Sequence, residues 1–187
     1  MSEATTTETK KVLHVGCGHP DPRKVHPMFQ GYQEIRLDID PAVTPDIIGD
    51  IVDMNAVADE SVDGVWSSHN LEHLFAHQVP LALREFFRVL KPGGVALVTM
   101  PDIQEVAALI AQGKLEDTAY VSPAGPIAPL DMCYGHRASI ERGNHFMAHR
   151  TAFTAQTLGQ KLHDAGFINI QLEKGNFALW GLGRKPG

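Results

Sequence analysis

The stretch VLHVGCGHPDP, residues Val12 to Pro22, decides the fold class of this chain. Its apolar start, interrupted by a single histidine, predicts a short buried strand, and Gly16 and Gly18 predict a sharp turn where that strand ends. Glycine has no Cβ, so the backbone can take a positive φ and approach a ligand closely. Ligands of open α/β sheets bind at the carboxyl edge of the strands. The stretch therefore predicts a strand followed by a ligand-binding turn.

Two carboxylates follow at the ends of the next two predicted strands. QEIRLDID carries Asp38, which would project toward the same crevice and accept hydrogen bonds from two ribose hydroxyls. DIIGDIVDM carries a short third strand near Ile47 and Ile48, and then Asp50 and Ile51. The Asp50 carboxylate could accept from the amino group of adenine while the Ile51 N–H donates to a ring nitrogen. A glycine turn followed by these acids predicts a nucleoside site.

Each of these signals also has a simpler interpretation when it is taken alone. A lone GxG after a strand is often only a tight turn. Asp38 stands shortly before Pro41 and fits a turn or a helix cap. Asp50 and Asp53 both fit the capping position of a helix. The order and spacing of all three signals favour the nucleoside site.

Composition and charge exclude several classes of protein. A chain of 187 residues with 43% apolar residues predicts one domain over residues 11–187, preceded by a disordered tail over residues 1–10. The net charge of −6 argues against a nucleic-acid or anionic-membrane partner. Cys17 and Cys133 form no CxxC pair, which indicates neither a disulfide framework nor a zinc–thiolate site. With no signal peptide or membrane-spanning run, we expect a cytoplasmic protein.

A crossover unit follows the third strand. DGVWSS and GGVALVTMP are typical of buried parallel strands. The segment between them, PLALREFFRVLKPGG, carries Leu83, Phe86, Phe87 and Leu90 at helical spacing. The three segments together predict a βαβ unit, with the proline and glycines ending the helix.

The C-terminal part predicts a helix and a hairpin. Thr154 is expected to cap a helix that ends before Gly166. INIQLEKGNFALWGLGRK alternates as two antiparallel strands, which we expect to turn at Lys174, Gly175 and Asn176. The fold class is therefore α/β, a Rossmann-like doubly wound sheet that is mostly parallel, with an antiparallel C-terminal hairpin strand.

Taken in order, six segments resemble a class I S-adenosylmethionine-dependent methyltransferase of the small-molecule, type 11 kind. They are LHVGCG, IRLDIDP, IIGDIVDM, SVDGVWSSHNLEHL, EFFRVLKPGGVALVTMPD and FTAQTLGQKLHDAGF. The resemblance covers most of the chain outside the tail and residues 103–150. It implies a sheet of about seven strands, S-adenosylmethionine as cofactor and a small-molecule methyl acceptor.

The resemblance also implies roles for individual residues. Gly16 and Gly18 would border the methionine part of the cofactor, and Asp38 would bind its ribose. Asp50 and Ile51 would hold adenine. Ser68, His69 and Glu72 would lie near the sulfonium end and the substrate entrance. The full set expected to bind the cofactor is Gly16, Cys17, Gly18, Asp38, Ile39, Asp50, Ile51, Ser68 and His69.

Two segments depart from the family pattern. HPDPRKVHPMFQGY places prolines where the first helix would run, so that helix is expected to be short or displaced. Residues 102–150 are long and lack a strong period, and we expect them to form a lid or a substrate-facing insertion. His136, His145 and His149 in this insertion match no familiar zinc spacing, so no metal site is predicted.

Catalysis could need a base if the acceptor is a hydroxyl, and His69 and His136 are the leading candidates. For the segment SSHNLEHL, which contains His69, a helix start capped by Ser67 or Ser68 remains an alternative. A nicotinamide-dependent oxidoreductase is a second possible function, although a third glycine would then be expected at Asp21. A catalytically silent methyltransferase-like subunit that binds a partner is a third, and a homodimer remains open.

Overall fold

The computed structural model describes residues 9–187, so residues 1–8 of the predicted tail lie outside the described residues. Seven strands form one sheet: β1 (Lys11–Val15), β2 (Gln33–Asp38), β3 (Ile47–Ile48), β4 (Val62–Ser68), β5 (Leu90–Pro101), β8 (Ile168–Gly175) and β9 (Ala178–Arg184). Two short strands, β6 (Tyr120–Ser122) and β7 (Gly125–Ile127), pair separately. The helices are α1 (Val79–Val89), α2 (Ile103–Ala111), α3 (Pro129–Tyr134), α4 (Arg137–Glu141) and α5 (Ala155–Asp164).

The order of strands in the sheet is β3-β2-β1-β4-β5-β9-β8. The first five strands run parallel to one another, whereas β9 is antiparallel to both β5 and β8. The expected α/β fold, a mostly parallel sheet of seven strands with an antiparallel C-terminal hairpin strand, is confirmed. Because the order reverses between β1 and β4, the sheet has a switch point beside the glycine turn.

One face of the sheet carries most of the core. Leu83 and Phe86 of α1 and Leu158 and Leu162 of α5 are fully buried against it. Thr154 caps α5 through a hydrogen bond that its hydroxyl accepts from a backbone N–H, as expected. Both helices therefore bury an apolar face at the period that the sequence predicts.

The opposite face is covered by short turns instead of a first helix. Two 3₁₀ turns, Pro22–Lys24 and Pro27–Phe29, occupy the first crossover, because proline is tolerated at the start of a turn but not inside a helix. The Trp66 indole N–H donates to the Lys24 carbonyl at 2.8 Å. The Trp66 ring stacks on Trp180, with centroids 5.9 Å apart and planes inclined by 11°. This turn-covered face is thinner than the helical one.

Two local predictions need correction. Leu90 does not belong to the crossover helix: it opens β5 and pairs with Val62. The hairpin turns later than expected, at Asn176 and Phe177, which have φ values of 52° and 62°. Two successive residues with positive φ are the signature of a type I′ turn, whose twist matches that of the flanking strands.

The inserted segment, residues 102–150, is structured. It contains α2, the β6–β7 pair, α3 and α4, and packs around the buried side chains of Val106, Ile127 and Met132. Its end is fastened to the sheet edge, because the N–H groups of Arg150 and Thr151 both donate to the Glu72 carbonyl, at 2.8 and 3.2 Å. None of the helices within residues 9–187 has the length and apolar character needed to cross a bilayer.

Candidate functional site

The first three strands end side by side, and backbone hydrogen bonds hold their ends together. Past β1, the Cys17 N–H donates to the Leu37 carbonyl at 3.3 Å, and the Gly49 N–H donates to the Asp38 carbonyl at 3.0 Å. Parallel strands place their carboxyl ends at the same edge of a sheet. The glycine turn, Asp38 and Asp50 therefore meet at one edge.

The turn after β1 depends on glycine. Gly16 and Gly18 have φ values of +61° and +60°, where a residue with a side chain would be strained by about 1–2 kcal/mol. A Cβ on Gly16 would lie 2.6 Å from Cγ of Asn70, so the Asn70 side chain lies against the turn only because residue 16 has none. The Asn70 Nδ2 is buried and lacks a hydrogen-bond partner within the described part of the chain. Because Asn70 lines the cavity, this donor lies beside the space that a ligand would occupy.

The Asp38 carboxylate is fixed by two backbone donors. Its Oδ2 accepts from the Gly18 N–H at 2.8 Å, and its Oδ1 accepts from the Asp40 N–H at 3.0 Å. An ionised carboxylate has about four acceptor positions, so about two remain. The bond to Gly18 also joins the glycine turn to the end of β2. A residue that only shaped its own turn or capped a helix would not need this contact across 20 positions of the chain.

The Arg36 side chain links the glycine turn to the loop that follows β2. Its guanidinium donates to the carbonyls of Gly18, Val43 and Thr44. Because a planar guanidinium presents its donors in a rigid fork, these bonds join the glycine turn to the turn that follows β2. Arg36 therefore holds the entrance to the site in one arrangement.

These strand ends enclose one side of a cavity of about 290 Å³. That side is formed mainly by Gly16, Gly18, Asp38, Ile39, Asp50 and Ile51. The other side is formed by His69, Asn70 and His73, and by residues of the inserted segment, among them Phe146, Met147 and Arg150. Ile39 is 48% exposed, so an apolar side chain at the cavity is open to a ligand.

His69 and Glu72 form a hydrogen-bonded pair beside the cavity. The His69 Nδ1 lies 3.1 Å from the Glu72 Oε1, with the His69 side chain 52% exposed and Glu72 almost fully buried. Burial alone lowers the pKa of His69, but the hydrogen bond to Glu72 and its charge outweigh burial, and this pKa is raised. His69 has a φ of 48°, a sparsely populated conformation that aims its ring from the end of β4.

A second pair of histidines lies on the other side of Glu72. The rings of His73 and His149 meet edge to face, with centroids 5.0 Å apart. Burial lowers the pKa of His149 more than the Glu72 charge raises it. Burial raises the pKa of Glu72, but His69, His73 and His149 outweigh burial and the pKa is lowered. One possible metal-ligand atom of each of Glu72, His73 and His149 lies within 4.8 Å of the others.

The structure brings most of the sequence-predicted site residues to this cavity. Those that line it are Gly16, Gly18, Asp38, Ile39, Asp50, Ile51 and His69. Asp50 also accepts a hydrogen bond from the Val52 N–H at 3.1 Å, so its carboxylate stabilises the local turn as well as facing the cavity. Cys17, Ser68 and His136 are not among the lining residues.

Local contacts explain why these three side chains do not line the cavity. The Cys17 thiol is buried, which raises its pKa, and only its backbone takes part in the turn. Ser68 remains in β4, paired with Thr99, and the 3₁₀ turn Leu71–His73 follows it without a serine cap. His136 begins α4 and its Nδ1 lies 2.9 Å from the Ser139 hydroxyl.

Sequence reasoning missed the contributions of Asn70 and Arg150. Both line the cavity; Asn70 lies inside the segment SSHNLEHL but was given no role there, and Arg150 belongs to no short motif with a physical mechanism. The close contact between Gly16 and Asn70 spans 54 positions of the chain and leaves no periodic signal. Arg150 reaches the cavity from the inserted segment, with its guanidinium 4.8 Å from the centre of the Phe75 ring.

Comparison with known proteins agrees with this geometry. Residues 13–98 match a family model described as a methyltransferase domain. That range contains the glycine turn, both carboxylates and the pair formed by His69 and Glu72. No curated protein matches the chain.

Solved structures share the fold at low sequence identity. An S-adenosylmethionine-dependent methyltransferase from Archaeoglobus fulgidus is 15% identical, with a TM-score of 0.63 over 95% of this chain and 86% of that one. A similar protein from Methanosarcina mazei is 16% identical, with a TM-score of 0.62 over 96% and 93%. The 1,6-didemethyltoxoflavin-N1-methyltransferase from Burkholderia thailandensis, solved with S-adenosylhomocysteine, is 15% identical, with a TM-score of 0.58 over 96% and 72%.

The residues present fit S-adenosylmethionine, the cofactor of the Archaeoglobus fulgidus methyltransferase that shares this fold. Asp38 retains free acceptor positions, Ile39 offers an open apolar surface, and the Asn70 amide offers a donor without a partner among the described residues. A side chain at position 16 would disturb this arrangement, because its Cβ would meet Asn70. The chain therefore shares the fold of S-adenosylmethionine-dependent methyltransferases and, over residues 13–98, matches the family model of a methyltransferase domain.

Proposed function

We propose that this protein is an active methyltransferase that transfers a methyl group to a small-molecule acceptor by in-line displacement. The observation that carries the proposal is a single cavity in which Asp38 and Asp50 face His69 beside the glycine turn. The carboxylates suit an adenosyl group, and the histidine side leaves room for an acceptor. Residues of the inserted segment bound the cavity on the histidine side, which favours a small acceptor over a macromolecular chain.

The strand ends would hold the cofactor. Asp38 would accept hydrogen bonds from the ribose hydroxyls through its free positions. Asp50 and Ile51 would bind adenine, and Gly16 with Asn70 would lie against the methionine part. When bound, the cofactor supplies a sulfonium methyl group that an acceptor atom displaces, and the electron pair of the broken C–S bond returns to sulfur.

The inserted segment would form the acceptor side of the cavity. Phe146 and Met147 give that side an apolar surface, and Arg150 gives it a positive charge. The Arg150 guanidinium lies over the Phe75 ring, which holds it in place without neutralising it. These groups favour a partly apolar acceptor that carries an acidic group, since a guanidinium binds carboxylates and phosphates well.

Positioning would supply most of the rate. Holding the acceptor in line with the methyl carbon and away from water is worth up to about 7–11 kcal/mol of the barrier. For a hydroxyl acceptor, His69 would take the proton. Glu72 bonds the His69 Nδ1, so in the neutral ring the proton sits on that nitrogen and Nε2 has the lone pair that accepts the acceptor's proton.

Calorimetry tests the proposal. We expect one S-adenosylmethionine or S-adenosylhomocysteine to bind each chain, and NAD⁺ to bind far more weakly. A library of small phenols, carboxylic acids and amines is then assayed for formation of S-adenosylhomocysteine. Cofactor binding without turnover on any acceptor would favour a silent, partner-binding subunit, and NAD⁺ binding alone would favour the oxidoreductase.

A further inference from the structure

Glu72, His73 and His149 form a compact group between the cofactor cavity and the inserted segment. One ligand atom of each lies within 4.8 Å of the other two. His73 borders the cavity, and Glu72 is 1% exposed. The group joins two distant parts of the chain, because His149 lies 76 positions beyond His73.

Only one of the two oxygens of the Glu72 carboxylate has a hydrogen-bond partner within the described residues. Its Oε1 pairs with the His69 Nδ1, whereas its Oε2 is buried and has no hydrogen-bond partner among residues 9–187. Buried carboxylate oxygens are nearly always hydrogen-bonded, ion-paired or bound to a metal, because leaving one unpaired is costly. The free Oε2, together with the two histidines beside it, points to a cationic ligand.

Both histidine rings present the nitrogen that a metal needs. The His73 Nδ1 lies 3.2 Å from the Ala148 carbonyl, and the His149 Nδ1 lies 2.8 Å from the Met132 carbonyl. A carbonyl oxygen can only accept, so in each neutral ring the proton sits on Nδ1 and the lone pair on Nε2. Such backbone acceptors orient and polarise metal-bound histidines.

The backbone also fixes the distance between the two chain segments. The Glu72 carbonyl accepts from the N–H groups of Arg150 and Thr151, and the His149 N–H donates to the Tyr134 carbonyl at 3.1 Å. His149 is thus held beside Glu72 by bonds that do not involve its own ring. The backbone therefore brings the two segments together before any ion binds.

We propose that Glu72 Oε2, His73 Nε2 and His149 Nε2 bind a divalent transition-metal ion of the zinc or cobalt type. Two imidazoles and one carboxylate suit Zn²⁺ or Co²⁺, whereas Mg²⁺ and Ca²⁺ prefer oxygen ligands alone. With bonds of about 2.0–2.1 Å, tetrahedral ligand atoms lie about 3.3 Å apart. Side-chain rotations would have to bring the three ligand atoms from their present separations of up to 4.8 Å to that distance.

Three protein ligands leave at least one coordination position open. Since His73 borders the cavity, an open position on this ion would be available to a water molecule or to an acceptor oxygen. Only this last step depends on the proposed methyl transfer. Metal binding itself depends on the three side chains and not on the cofactor.

Cobalt titration tests the site. Chain without a polyhistidine tag is stripped with a chelator and titrated with Co²⁺ alone, and visible d–d absorption and calorimetry are recorded. We expect one Co²⁺ per chain, with the band intensity of a four- or five-coordinate ion, and displacement of Co²⁺ by Zn²⁺. His149→Gln and His73→Gln are each expected to weaken Co²⁺ binding by more than about 100-fold, more than the loss of an outer hydrogen bond to a ligand costs.

His77→Gln is the matched control, because His77 stacks on Phe75 and is outside the proposed ligand set. It should bind Co²⁺ like the unchanged chain. Equal Co²⁺ binding by the unchanged chain and by both ligand variants would overturn the site, as would a six-coordinate, aquo-like spectrum. S-adenosylhomocysteine calorimetry on the same samples separates the two proposals, because loss of cobalt with retained nucleoside binding concerns the metal site alone.

Discussion

Replacing Asp38 by asparagine tests the basis of the cofactor site most directly. The Asp38 carboxylate accepts from the Gly18 and Asp40 N–H groups and has about two acceptor positions left, which under the proposed function would bind the ribose. Asparagine has nearly the same shape, but one oxygen becomes an amide NH₂ group. That group can no longer accept from a backbone N–H or from a ribose hydroxyl, and the negative charge is lost.

The expected loss follows from the hydrogen bonds to the ribose. A hydrogen bond to a charged group contributes about 1.5–3 kcal/mol. With about 1.4 kcal/mol for each factor of ten, S-adenosylhomocysteine should bind Asp38→Asn about 10- to 150-fold more weakly. Titration calorimetry measures this change, at a temperature well below the melting point of the variant. The variant should also melt earlier, because an amide NH₂ then faces a backbone N–H.

Asp46→Asn provides the matched control. Asp46 is exposed, lies outside the cavity and accepts a single backbone hydrogen bond, from the Arg36 N–H at 2.8 Å. It should bind S-adenosylhomocysteine with unchanged affinity. If folded Asp38→Asn binds within about threefold of the unchanged chain, the ribose assignment of Asp38 is wrong.

Three further substitutions separate strain, chemistry and capping. Gly16→Ala should weaken S-adenosylhomocysteine binding at least about tenfold. Gly113 has a similar φ of +79°, but a Cβ there would meet no atom within 4 Å, so Gly113→Ala should only lower the free energy of unfolding, by about 1–2 kcal/mol. Calorimetry of both variants measures the two effects. With a hydroxyl acceptor, His69→Gln should reduce the initial rate of S-adenosylhomocysteine formation by about 10²- to 10⁴-fold; an equal loss in His136→Gln would contradict this assignment. Thr154→Ala should lower the free energy of unfolding by about 1 kcal/mol in urea denaturation, and an unchanged midpoint would argue against the cap.

The fold was largely accessible from the sequence because its signals are local. Strand ends at glycine and aspartate, the apolar period of α1 and the cap at Thr154 each lie within a short window. The errors arose where neighbours in space decide the outcome. Leu90 continues a helical pattern but pairs with Val62, and Phe177 takes a positive φ that its residue type does not favour.

Only part of the candidate site could be predicted from the sequence, because several of its contacts join residues that are distant in the chain. The glycine turn and the two carboxylates follow strands and can be placed by rule. Nothing in the sequence places His149 beside Glu72, because their contact depends on how residues 102–150 fold back. His136 and His149 stand in similar surroundings in the sequence, yet one bonds Ser139 and the other packs against His73.

The stacked pair Trp66 and Trp180 gives the molecule an internal optical probe. These are the two tryptophans of the chain, so its indole signals come from the turn-covered face of the sheet. Rings stacked 5.9 Å apart are close enough for their electronic transitions to couple, and an exciton couplet in circular dichroism is expected where the two transition dipoles are twisted relative to each other. Lifting residues 22–32 from the sheet would remove the bond from the Trp66 indole and expose the ring pair to water, which would change the tryptophan signal. Loosening of this thin cover can therefore be followed spectroscopically, separately from occupancy of the cofactor cavity.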